Sequence, residues 1–429
     1  NKQYINTDMI NLMIQKLLKY LVFMLRCIVT PILKLQYFKK RKRIPAIKSR
    51  LLLISATEIA RQIRRKISSE EVVRAYVERC TDVNPVINAI VESRFSAAIQ
   101  EAQEVDKLLA STTKTEEELA REMPLLGVPV TVKESFAVEG MSHMAGVKKK
   151  SPQKATKNAV AVSMVRKAGA IVLLVSNTPE LCLSWETSNK VTGTTRNPYD
   201  TNKIPGGSSG GEAALISSAA SIAGIVSDVA GSARLPAMFC GIFGHRPTSG
   251  LITNEGHRPD SHDESFGLYC TPGTMVRYAE DLSLMMKIMC QSEETRKNFE
   301  QKVAGLFILR NFCAELLGNN GVLIFPTFVS SAYYSHESYM NIFNFMYLAV
   351  ANVLAIPATH CTMGLNKRGL PVGLQIMANT GNDHLTIAVA KEIDEAFGGW
   401  QPPPMTESIR RRSESDSSLQ SIHSSMIVK

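Results

Sequence analysis

The sequence predicts an α/β domain, and three observations carry that prediction. Five short apolar runs, residues 128–133, 170–175, 222–226, 322–325 and 373–377, read as strands, the later four continuous enough to be buried on both faces. Segments with helix-like patterning lie between them, as expected of helices packed in layers on a sheet. The composition is globular, with 45% hydrophobic and 21% charged residues, and 429 residues suffice for one large core or two ordinary ones.

In chain order, residues 1–50 form an apolar and basic arm. The apolar stretch 17–35 is followed by Lys39, Lys40, Arg41, Lys42 and Arg43. A spanning helix needs about 20 apolar residues with few charges, whereas Lys19, Arg26 and Lys34 interrupt this run and Pro31 lies within it. The arm is therefore expected to anchor the chain at a membrane, spanning it or lying in its interface, with long cationic side chains reaching the headgroups. A cleaved targeting peptide is disfavoured because no Ala-x-Ala-like site follows. Residues 51–400 form the body. Ser55-x-x-Glu58 and Ser68-x-x-Glu71 read as capping boxes opening two helices. A helix is expected over 158–168, stopped by Gly169, before the strand at 170–175. From residue 401 the chain is rich in Pro, Ser and Arg and reads as a disordered tail, in which 410–413 resembles a kinase site.

The charge divides the same way. Of a formal net charge of +10, residues 1–66 carry 16 basic and 2 acidic side chains, so the rest is slightly acidic. A basic arm for nucleic acid is the weaker reading, and no nucleic-acid partner is expected. The eight cysteines include no Cys-x-x-Cys pair, which points to reduced, mostly buried thiols rather than a zinc site or a disulfide framework. Neither metal nor cofactor is expected.

The most informative segment is Ile204-Pro205-Gly206-Gly207-Ser208-Ser209-Gly210-Gly211-Glu212. Its glycines allow close backbone approach to a ligand, yet it lacks the Gly-Lys-Ser/Thr of a P-loop and the Gly-x-Ser-x-Gly of a nucleophile elbow. Two further segments stand with it. Thr131-Val132-Lys133-Glu134 puts a lysine at the end of an apolar strand, and 227–237 follows another strand and contains Asp228, Ser232 and Arg234. A serine needs a base to become a nucleophile. His143, His245, His257 and His262 stand in no triad context and read as surface or structural residues. A lysine can serve if its environment lowers its pKa from about 10.4 towards 7–8, a shift of roughly 4 kcal/mol.

These three segments resemble, in order and spacing, the hallmark motifs of the amidase-signature hydrolases. Lys133 precedes Ser208 by 75 residues and Ser208 precedes Ser232 by 24. Further stretches agree over about residues 51–400: 188–190, 197–200, 241–245, 277–282 and 370–375. Glu212, Gly381-Asn382-Asp383-His384 and Phe397-Gly398-Gly399-Trp400 are most similar to the membrane-bound fatty-acid amide hydrolases of type 2. The resemblance implies the amidase-signature fold, a central mixed β-sheet flanked by helices. It implies a triad of Ser232 as nucleophile, Lys133 as base and Ser208, across a cis Gly207–Ser208 peptide, as the bridge between them. It places the N–H groups of Val229, Ala230, Gly231 and Ser232 in an oxyanion hole, Gly207 and Ser209 on the substrate side, and Asp228 and Arg234 as holders of the loop.

The resemblance also implies what the protein acts on: fatty-acid primary amides and N-acylethanolamine-like amides. It implies an address at an intracellular membrane or lipid droplet, single-pass or monotopic, with membrane lipid and a second copy of the chain as partners. Three departures stand out. Ala230 occupies a position usually held by glycine, Thr274 replaces a proline, and the segment between Leu282 and Val322 is on the order of a hundred residues shorter than in related enzymes. That shortening opens one alternative, a catalytically impaired membrane-bound homologue; a further alternative, an amidase for small soluble amides or the amidotransferase subunit acting on charged transfer RNA, is disfavoured by the arm and the acidic body.

Overall fold

The computed structural model describes residues 2–37, 41–65, 67–261, 266–290 and 314–406, with side chains from residue 12 onward. Its strands are β1 (Ile90–Ser93), β2 (Pro129–Lys133), β3 (Ile171–Ser176), the small hairpin of β4 (Ser188–Asn189) and β5 (Gly193–Thr194), β6 (Ala223–Asp228), β7 (Phe243–Arg246), β8 (Thr271–Val276), β9 (Val322–Pro326), β10 (Ala358–Leu365) and β11 (Pro371–Ala378). All but β4 and β5 join one mixed sheet in the order β1-β3-β2-β6-β8-β7-β10-β11-β9. Strand β2 runs parallel to both β3 and β6, and the other neighbours pair antiparallel.

Helices cover the sheet, as the α/β pattern requires. Helix Ser69–Ile87 turns Val72, Val73, Tyr76, Cys80, Val83 and Ile87 into the core, a spacing of three and four residues that makes one apolar stripe. Of the two expected capping boxes the serine half forms: the Glu71 N–H donates to Ser68 Oγ at 3.3 Å, and the Glu58 N–H donates to Ser55 Oγ at 3.1 Å before helix Ala56–Arg65, but neither glutamate side chain bonds back to its cap N–H among the described residues. The segment expected as helix over 158–168 is helical over Val160–Lys167.

Two expectations need correction. The first concerns β9, which lies at the sheet edge and is not buried on both faces: Ile324 is 58% exposed and Leu323 is exposed beside it. Its apolar sequence is that of an interior strand, but among the described residues only β11 pairs with it. It emerges directly after the shortened segment, of which residues 291–313 lie outside the described residues. The second concerns the arm. Residues Lys2–Gln36 form one helix that continues through Pro31. No helix among the described residues is long and apolar enough to cross a membrane. Lys16, Lys19, Arg26 and Lys34 recur at intervals too short to leave a clean span.

The end of the arm packs on the body. Ile44 is fully buried, Arg41 Nε pairs with Asp200 at 3.1 Å, and Tyr37 stacks on Tyr334 with ring centroids 6.0 Å apart. At the other end, the Thr406 N–H donates to the Ile44 carbonyl at 3.1 Å, so residues 401–406 also lie on the body. The remaining tail, with the 410–413 stretch, and His262 lie outside the described residues.

Candidate active site

The site grows from the carboxyl ends of two parallel strands. Because β2 and β6 pair in register, with Thr131 opposite Gly224 and Val132 opposite Ile225, their last residues emerge side by side. Lys133 ends β2, and Ser227 and Asp228 end β6. The Lys133 side chain is fully buried; Nζ lies 2.7 Å from Ser208 Oγ and 3.0 Å from Ser227 Oγ. Among the described residues it makes no ion pair with a carboxylate, so this cation-forming group is held by hydroxyls alone.

Ser208 is presented by the glycine-rich segment as it enters helix Gly210–Ser217. The Gly207–Ser208 peptide is cis, and Thr178 Oγ1 donates to the Ser208 carbonyl at 2.9 Å. A Cβ on Gly207 would meet the Ser184 carbonyl at 2.5 Å, so only glycine fits against that chain. Ser209 Oγ reaches the Ser227 carbonyl at 3.5 Å, a contact at the long limit of a hydrogen bond. Glu212, in the first turn of the helix, is fully buried and accepts from Thr131 Oγ1 at 2.5 Å; burial pushes its carboxyl up to about 7 against that hydrogen bond.

The loop after β6 is organised by one ion pair. Asp228 and Arg234 are both fully buried, with Nε and Nη2 each 3.0 Å from a carboxylate oxygen. Asp228 also accepts the N–H groups of Gly231 at 2.8 Å and Ala233 at 3.1 Å. Burial works against its charge, but the Arg234 guanidinium prevails and holds the carboxyl well below the usual carboxylate range. Arg234 then ties the loop to distant segments, donating to Gln375 Oε1, the Leu348 carbonyl and Asn352 Oδ1 at 2.8, 2.9 and 2.7 Å. These are buried structural partners rather than a surface pair.

Ser232 sits in this loop, 4% exposed. Among the described residues no hydrogen bond joins its hydroxyl to Ser208. The Gly231 N–H, grouped by resemblance with the oxyanion donors, is already committed to Asp228. The N–H groups of Val229, Ala230 and Ser232 make no hydrogen bond to the described residues. Unpaired N–H groups clustered beside a serine form the kind of site that receives a developing negative charge. The alanine at 230 is harmless, because the positive φ of this loop, +91°, falls at Gly231. There a Cβ would also strike Leu348 at 2.6 Å. Thr274, in place of proline, sits within β8 and donates to the Gly224 carbonyl at 3.0 Å.

An aromatic wall adjoins the loop. Trp185 Nε1 donates to the Ala230 carbonyl at 3.1 Å, and its ring contacts Phe328 edge-on and Phe345 by stacking. Trp185, Asn352 and Ser227 were not singled out by sequence reasoning. Neither was Glu186, which accepts from Ser335 Oγ, the His336 N–H and Ser338 Oγ at 2.6–2.7 Å. Ser227 begins the 227–237 segment and Gln375, a partner of Arg234, lies within the recognised stretch 370–375; no such signal marked Trp185, Asn352 or Glu186. Of the histidines, His143, His245 and His257 are buried rather than on the surface.

Known proteins resemble this chain over most of its length. The family model described as Amidase matches residues 71–305 and 294–387. Fatty-acid amide hydrolase 2-A of Danio rerio is 34% identical over 492 aligned residues, covering 85% of this chain and 92% of that protein. Fatty-acid amide hydrolase 2 of Homo sapiens is 32% identical, covering 82% and 91%. An alignment longer than the chain itself means that more than a hundred positions of the Danio rerio relative have no counterpart here. Among solved structures, a fatty acid amide hydrolase superposes with a TM-score of 0.68 at 19% identity, covering 82% of this chain and 86% of that one. A 6-aminohexanoate cyclic dimer hydrolase superposes with the same score at 21% identity, covering 82% and 99%. At such identities the structures share the fold.

Proposed function

Since this chain belongs to the amidase signature family and is an amide-cleaving hydrolase, we propose that it hydrolyses fatty-acid amides through Ser232, Ser208 and Lys133. The observation that carries the reading is the buried Lys133–Ser208 contact at 2.7 Å, adjoining a serine loop with unpaired N–H groups. Neutral Lys133 takes the Ser208 proton while Ser208 takes that of Ser232, and Ser232 Oγ adds to the amide carbonyl. The resulting oxyanion is received by the N–H groups of Val229, Ala230 and Ser232. Collapse expels the amine, protonated through Ser208 at the expense of the Lys133 ammonium. Water, activated by the same relay, then releases the fatty acid and restores Ser232.

The acyl-chain preference rests on the relatives' substrate class and on apolar surface near the site. Leu17, Leu21, Met24, Ile28, Ile32 and Leu35 recur at helical spacing along the amino-terminal helix, and all are exposed. Close to that helix, the short helix Glu337–Phe345 and the next residue expose Tyr339, Ile342, Phe343 and Met346. Such a surface suits a helix lying in a lipid interface rather than crossing the bilayer. The exposed edge of β9 favours a second reading, an impaired homologue.

A fluorophosphonate probe separates the two. Covalent labelling of the purified chain, lost in Ser232→Ala and Lys133→Ala, followed by faster turnover of an 18-carbon primary amide than of a short-chain one, supports the proposal. A folded wild type that does not label refutes catalysis. Equal turnover of short and long amides refutes the lipid substrate. Flotation with phosphatidylcholine–phosphatidylserine vesicles tests the interface, and loss of flotation on deleting residues 1–36 is the expected result.

A further inference from the structure

The mechanism above leaves one buried group beside the base unused. His257 is 3% exposed, and its two ring nitrogens have different partners: Nδ1 lies 3.2 Å from the Pro259 carbonyl and Nε2 lies 3.0 Å from Ser227 Oγ. A carbonyl can only accept, so Nδ1 carries the hydrogen. The imidazole is neutral, its pKa pushed down to about 3 chiefly by burial. His143 also disfavours its protonation, and among the described residues no carboxylate offsets these effects. Nε2 therefore has a bare lone pair, and the contact with Ser227 must be the serine hydroxyl donating to it.

That polarity reaches the base. A hydroxyl has one hydrogen; once it goes to His257, Ser227 can only accept from Lys133 Nζ, 3.0 Å away. A neutral amine has two hydrogens and one lone pair. With a hydrogen directed at Ser227, the lone pair is free for the hydroxyl of Ser208, 2.7 Å away. Without an acceptor at 257, the Ser227 hydrogen could turn to Lys133 and occupy the lone pair that catalysis needs.

We propose that His257 is a positioning residue for the general base: by accepting the Ser227 hydrogen it keeps Ser227 an acceptor and aims the Lys133 lone pair at Ser208. The assignment rests on Lys133 being the base of Ser232. Phe136, whose ring meets His257 edge-on at 4.7 Å, holds the imidazole in place.

The test is the rate of fluorophosphonate labelling of Ser232 in the full chain, measured from pH 6 to 10. General bases contribute about 10²–10⁴-fold to such steps, so His257→Phe, which fills the space but accepts nothing, should lower the high-pH plateau by about tenfold or more. His257→Gln, whose amide oxygen can accept from Ser227, should recover the rate to within about threefold. Ser227→Ala removes the competing hydrogen, so the Ser227→Ala/His257→Phe double variant should be no slower than Ser227→Ala alone, a non-additivity that loss of packing would not produce. An unchanged plateau in His257→Phe, no rescue by Gln, or multiplying losses in the double variant would overturn the assignment. If the wild type shows no Lys133-dependent labelling, the catalytic reading itself fails and this role with it. Lys133-dependent labelling that is indifferent to residue 257 removes only the role of His257.

Discussion

Replacing Arg234 by methionine tests what holds the nucleophile loop. The change keeps an unbranched apolar side chain but removes both contacts to Asp228 and leaves Gln375 Oε1, the Leu348 carbonyl and Asn352 Oδ1 without this donor. Breaking a buried pair from one side costs about 3–5 kcal/mol. Asp228 keeps donors from Gly231, Ala233 and Asn352, and the field of Arg246, which places the loss near the lower end, about 3 kcal/mol. At about 2 °C per kcal/mol for a large domain, the melting temperature at pH 8 should fall by on the order of 6 °C. The pH dependence is the sharper signature. In the wild type the depressed Asp228 pKa contributes stability that is present above the unfolded value and lost only as pH falls through the folded one. In the variant burial acts with much less opposition and raises the pKa, so the carboxyl can take up a proton as pH falls. The gap between the proteins should therefore narrow from pH 8 to pH 5, read by differential scanning fluorimetry. Labelling of Ser232 should slow by about tenfold or more as the oxyanion donors lose their frame. A gap that stays constant with pH, or a variant within about 1 °C of wild type, would refute the account.

The glycine requirement of the loop should be asymmetric. Gly231→Ala, with positive φ and a collision with Leu348, should cost at least about 1–2 kcal/mol and most of the labelling rate, whereas Ala230→Gly should leave labelling within about twofold. Trp185→Phe keeps an aromatic ring but frees the Ala230 carbonyl; stopped-flow acylation should slow about three- to tenfold, corresponding to a net hydrogen bond of about 1 kcal/mol, with little change in melting temperature. Among the described cysteines, Cys27 is exposed while Cys80, Cys240, Cys270 and Cys361 are buried with thiol pKa values raised by burial. Iodoacetamide at pH 8 under native conditions should therefore modify Cys27 and spare those four, as peptide mass spectrometry would show.

The parts of the site legible in the sequence are those carried by local pattern. Lys133 closes an apolar run, glycines flank Ser208, and Asp228 and Arg234 are six residues apart in one loop, so each could be read from its neighbours. Their convergence follows from the parallel pairing of β2 with β6, which brings together segments 94 residues apart at Lys133 and Ser227. The groups that hold the site do not announce themselves. Asn352 reaches Asp228 across 124 positions and Gln375 reaches Arg234 across 141. A lone asparagine or tryptophan has no spacing to betray a role. His257 was read as surface or structural for the same reason: its meaning lies in which atom faces which. The edge position of β9 was illegible because an apolar run records a strand's origin in an interior pattern, while exposure depends on which neighbours remain.

The seam between the amino-terminal helix and the body has a kinetic consequence. Tyr37 is stacked on Tyr334, and seven residues later Ile44 is already buried in the core. A connection so short cannot act as a tether. If the helix rests in a lipid interface, the distance from that surface to Ser232 is set by packing, and the reaction becomes two-dimensional. Its velocity should then follow the mole fraction of amide in the vesicle surface, and dilution with inert phospholipid should slow it even when the total amide concentration in the tube is unchanged.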